Sequence, residues 1–118
     1  MTWQRFPTGS ALSLQGVFDA SQVDFVLKEA NAVLQQALEV LAVDGSQLGF
    51  VDSSALGCLV MMAQKCRRSG CRFILVNFPP PIREIITMTK LDKLLPHYPG
   101  TLAEFVRSLP ASGSDPAS

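Results

Sequence analysis

"FVDSSALG", residues 50–57, sets an acid and two hydroxyls between an apolar approach and an apolar run. Phe50 and Val51 look buried, and so do Ala55, Leu56 and most of the next ten residues. Asp52, Ser53 and Ser54 at such a junction could be a helix cap, a nucleophile or a phosphate-accepting switch. A nucleophilic serine needs a base within hydrogen-bond reach and a third group to orient that base. The nucleophile-elbow pattern would put glycine where Val51 and Ala55 stand, and the only histidine, His97, comes after Pro96 in a loop-like segment. A phosphate-binding loop is absent from the pattern, because no glycine-rich run ends in Lys-Ser or Lys-Thr. The plainest use of Ser53 is to cap a backbone N–H near Ala55 or Leu56, worth ~1 kcal/mol, with Asp52 just outside adding a favourable charge at the positive helix end. The switch reading is compatible with that cap: a serine at a helix start is open to a kinase, and the helix end tolerates the roughly −1.5 to −2 charges of a phosphate.

The elements around this stretch are set by periodicity. "ALSLQGVFD" (11–19) alternates apolar and polar residues, as a half-buried strand does. From Ser21, Val23, Val26, Leu27, Ala30, Val33, Leu34, Ala37 and Leu38 recur at helical steps, with Asp24, Lys28, Asn31 and Gln35 opposite. "EVLAVDGS" (39–46) reads as a short strand and residues 54–68 as a helix, with Lys65, Arg67 and Arg68 in its last turn and Gly70 as its stop. Of Met61 and Met62 at least one is core, and Arg67, Arg68 and Arg72 read as a solvated helix end. "CRFILVNF" (71–78) is a strand buried on both faces. A third helix starts at the prolines 79–81 with Ile82, Ile85, Ile86 and Thr89 inward, then comes a loop or brief strand, then a last amphipathic helix over 101–109.

The order strand, helix, strand, helix, strand, helix predicts an α/β fold with a largely parallel sheet, whose sites gather where strands end and helices begin. Residues 1–109 are expected to form a single domain, and 110–118 a disordered tail. Lys plus Arg equals Asp plus Glu, which gives no support for nucleic-acid or membrane-surface binding. No apolar run reaches the roughly 18–20 residues of a membrane span, and "MTWQRFPTGS" lacks the basic and apolar parts of a signal peptide, so the expected location is cytoplasmic. Cys58, Cys66 and Cys71 read as small buried hydrophobes of a reducing compartment, and neither a metal nor any other cofactor is expected.

"VDGSQLGFVDSSALGCLV" resembles the central motif of STAS domains, a strand leading into an Asp-Ser-Ser/Thr-Gly-Leu-like turn and a helix. "LSLQGVFDAS" is similar to that family's first motif, and "RSGCRFILVNFPPPIREIITMTKLDKLL" to its later segments, so the likeness runs over about residues 11–109. The resemblance implies a small, mostly parallel sheet flanked by helices on one side. It implies that Ser53 matches the phosphoacceptor of anti-anti-sigma factors, with Asp19 and Asp52 beside it and Asp52, Ser53, Ser54 and Ala55 forming the turn that meets a partner. Ala55 departs from the family's frequent glycine. In such regulators the unphosphorylated domain binds a serine kinase that also holds a sigma factor, and phosphorylation ends the binding. The expected function is therefore a partner-switching protein and not an enzyme. The alternative is a non-switching subunit that binds and stabilises the ATPase of a phospholipid-transporting ABC complex, where threonine is the more frequent acceptor residue. A nucleotide- or anion-binding role has little support, since few basic residues lie near the motif.

Overall fold

In a computed structural model that describes residues 1–109, the first strand is one the sequence pattern did not announce: β1, Thr2–Phe6. After it come β2 (Gly9–Phe18), α1 (Ala20–Leu34), β3 (Val40–Val51), α2 (Ser53–Arg68), β4 (Arg72–Val76), α3 (Pro80–Met88), β5 (His97–Tyr98) and α4 (Leu102–Ser108). The tail expected at 110–118 lies outside the described residues. The sheet order is β1-β2-β3-β4-β5, with β1 antiparallel to β2 and the other three pairings parallel. This is the mixed, mostly parallel sheet expected of the α/β pattern.

Alternation along the inner strands gives the sheet two apolar faces. Leu12, Leu41, Val43, Phe73 and Leu75 point to the side covered by α1, α2 and α3. Ala11, Val40, Ala42, Ile74 and Val76 point the other way and are covered by Phe105 of α4. Helices therefore lie on both faces, three on one and the short α4 on the other. Phe105 is held there by an edge-on contact with Tyr98, ring centroids 5.2 Å apart, and by the Arg72 guanidinium 5.4 Å from its ring centre.

Several boundaries differ from the periodicity. α1 ends at Leu34, leaving Ala37 exposed, although the apolar spacing runs on to Leu38. In α3, Ile82 and Ile86 are buried but Ile85 is 40% exposed and Thr89 is the C-cap. Met62 is core and Met61 exposed, one of each as the helix face requires. β3 does not stop near Ser46 but continues to Val51. That extension matters most for the site. β4 pairs with β3 only over Val40–Asp44 and β1 with β2 only from Gly9 to Ser13, so the later halves of β2 and β3 pair with each other alone. Two register shifts, at each of which β3 carries one residue more than β2, and Gly16 of β2 at φ 69° bend this two-stranded ribbon. Both α1 and α2 start from its end.

Candidate functional site

The ribbon delivers Asp19 and Asp52 side by side, each in extended conformation just before a helix. Asp19 caps α1: its Oδ1 accepts from the Ser21 amide at 3.0 Å and the Ser21 hydroxyl at 2.6 Å, while Gln22 Oε1 accepts from the Asp19 amide. Asp52 caps α2 through Oδ1, which accepts from the Ala55 amide at 2.8 Å. Its second oxygen crosses to the neighbouring helix and accepts from the Ala20 amide at 3.1 Å. The Asp52 amide in turn donates to Phe18 O at 3.3 Å. One carboxylate thus satisfies an orphan amide at each of two helix starts.

This corrects the expected role of Ser53. The cap of α2 is Asp52, not the serine hydroxyl, and Ser53 is the first helical residue rather than the one before it. Ser53 and Ser54 are both exposed. The first amides of a helix have no intrahelical acceptor, and Asp52 takes only that of Ala55. Ser53 therefore stands exposed at a positive helix end, next in sequence to the Asp52 carboxylate. Ala55 has a different part from the partner contact expected of it. It is 0% exposed, packed in the core beneath the turn, and contributes its amide to the cap. Its methyl group leaves the surface around Ser53 unobstructed.

The surroundings are more apolar than the sequence pattern shows. Phe50 is not buried: it is 53% exposed and pairs in register with Val17, itself 49% exposed. Val51, the next residue, is in the core, so β3 alternation turns Phe50 outward. Phe25 on α1 is 56% exposed, off the Val23/Val26/Ala30 stripe, and helps line a cavity of about 160 Å³ with Leu14, Val17, Phe18 and Gln22. Phe25 is recognisable in sequence as the aromatic that falls off the helix stripe; Phe50 needs the true length of β3.

His97 stands elsewhere. It lies on β5 at the edge of the sheet, and its Nε2 accepts from the Phe78 amide at 2.9 Å. Burial, aided by Arg83, holds its pKa below the usual histidine value. Its acceptor nitrogen is therefore committed to the β4–α3 turn and not to Ser53. Among the described residues no group of three or more His, Cys, Asp or Glu is placed to hold a metal, and no helix is long and apolar enough to cross a membrane.

The family model for the STAS domain described as "Mlab, STAS domain" matches residues 2–96. The chain belongs to the STAS domain family. Solved structures agree on the fold of this STAS domain. An anti-sigma factor antagonist from Mycobacterium paratuberculosis is 26% identical, with 91% of this chain and 90% of that one covered and a TM-score of 0.78. The anti-sigma factor antagonist SpoIIAA in its unphosphorylated form is 22% identical over 92% of this chain and 97% of its own, TM-score 0.75. The Bacillus cell fate determinant SpoIIAA in its phosphorylated form is 19% identical over 90% and 96%, TM-score 0.72.

Proposed function

We propose that this STAS domain is a partner-switching regulator of the anti-sigma factor antagonist kind. Unphosphorylated, it binds a serine kinase that also serves as anti-sigma factor; phosphorylation of Ser53 by that kinase ends the binding. Such a partner would place the protein in the cytoplasm. The observation that carries this reading is that Ser53 is exposed and its hydroxyl is left out of the cap, because Asp52 performs that task through Ala55. A phosphate on Ser53 then adds charge beside Asp19 and Asp52 without removing a bond that holds α2. The likeness to SpoIIAA in both its unphosphorylated and phosphorylated forms supports the same division between fold and switch. Asp19, Asp52, Ser53 and Ser54 form the polar centre of the contact, and Val17 and Phe50 its apolar flank.

That flank also favours a second reading. An exposed apolar pair that does not include Ser53 suits a permanent partner, such as the ATPase of a phospholipid-transporting ABC complex. Affinity capture from the source cells with wild type and Ser53→Asp, read by mass spectrometry, separates the two. A serine kinase held by wild type and lost by Ser53→Asp supports switching. A transporter ATPase held equally by both makes the protein a constitutive subunit and Ser53 a bystander.

A further inference from the structure

The last turn of α2 closes in a Schellman motif. Gly70 takes the left-handed conformation at φ 72°, its amide donates to Arg67 O at 3.2 Å, and the Cys71 amide donates to Cys66 O at 2.8 Å. This motif lays the side chain of the third-last helical position against that of the second residue beyond the cap, where a hydrophobic pair is usual. Here the two are cysteines. Cys66 and Cys71 are both buried, and the Cys71 thiol donates to Arg72 O at 3.6 Å. A cavity of about 210 Å³ reaches Cys71, and Arg67 and Arg72 line it together with Ala63, Leu94 and Pro96.

We propose that Cys66 and Cys71 form a redox-responsive dithiol, in which a hydroperoxide entering this cavity oxidises Cys71 and Cys66 then closes a disulfide. The neighbouring Cys66 thiol pulls the Cys71 pKa down, whereas Cys71 beside it, together with burial, pushes Cys66 up. Cys58 has no such partner, and burial raises its pKa to about 11. In the first step Cys71 thiolate attacks a peroxide oxygen. An S–O bond forms and the O–O bond breaks; sulfur loses two electrons to the peroxide, whose leaving oxygen departs as water or an alcohol after taking a proton. In the second step Cys66 sulfur attacks Cys71 sulfur. The S–S bond forms, the S–O bond breaks, and hydroxide leaves as water with the proton of Cys66. The product ties the last turn of α2, the helix that begins at Ser53, to the chain entering β4.

The test uses the full chain, reduced and folded, treated with hydrogen peroxide, then alkylated and digested. Wild type should lose two hydrogens and yield a linked pair of peptides holding Cys66 and Cys71, with Cys71 consumed roughly tenfold or more faster than Cys58, since each pKa unit is tenfold in thiolate. Cys66→Ser should stop at a Cys71 sulfenic acid captured by dimedone, and Cys71→Ser should leave Cys66 reduced. Oxidation of Cys58 at an equal rate, or no oxidation of wild type until urea unfolds it, overturns the proposal without recourse to either variant.

Discussion

Asp52 Oδ2 lies 3.1 Å from the Ala20 amide, so the residue that caps α2 also holds the start of α1. The two helices emerge from adjacent strands, and their positive ends are brought to one carboxylate at the tip of the β2–β3 ribbon. Ser53 is next to that carboxylate in sequence but takes no part in the bond. The switch proposed for Ser53 depends on this separation: one residue fastens the helices, and its neighbour is free to be modified.

Asp52→Ala should cost about 2 kcal/mol in urea denaturation, since two amides lose their acceptor. Ser53→Ala should change stability by less than about 0.5 kcal/mol, as surface substitutions do. Equal losses for the two variants would return the capping role to Ser53.

Gly45 sits under the Phe78 ring, and a Cβ built on it would lie 2.5 Å from ring carbon Cδ1. Gly45→Ala should destabilise by about 1–3 kcal/mol, because the ring can give way only by disturbing a packed core. A thermal melt coincident with wild type would show that Phe78 has room the geometry does not give it.

His97 makes stability depend on pH. Its Nε2 must be unprotonated to accept from Phe78, and burial and Arg83 hold the folded pKa below the ordinary 6.5. The unfolded chain therefore takes up a proton first. The stabilisation is complete above pH 6.5 and is lost as pH falls from there through the lower, folded value. Melting temperatures across this window should fall for wild type and fall less steeply for His97→Gln, which keeps an acceptor and cannot titrate. Parallel slopes would show that His97 does not set the pH dependence.

Much of this is legible in the sequence. Alternation in "ALSLQGVF", the continuous apolar run of β4 and the glycine stop at Gly70 specify their elements because burial and left-handed backbone leave few alternatives. "FVDSS" marks the helix start within a residue. β1 escapes a pattern reading because "TWQRF" is an edge strand with mixed exposure, paired on one side only. The exposure of Phe50 escapes it because β3 runs on to Val51, beyond the segment the pattern marks as a strand, and alternation there turns Phe50 outward. The cap falls on Asp52 and not Ser53, and local rules do not separate them, because Asp and Ser are equally good at N-cap positions and stand side by side. The contact between Asp52 and Ala20 joins residues 32 positions apart, beyond the reach of any local rule.

Partner switching stands or falls with Ser53 as the control point. The decisive measurement is to incubate the protein with ATP and the kinase captured by wild type, map the phosphate by mass spectrometry, and follow the complex by size exclusion. One phosphate is expected, on Ser53, with the partner released and the melting temperature nearly unchanged. A phosphate on Ser54, or a complex that survives phosphorylation of Ser53, would contradict it.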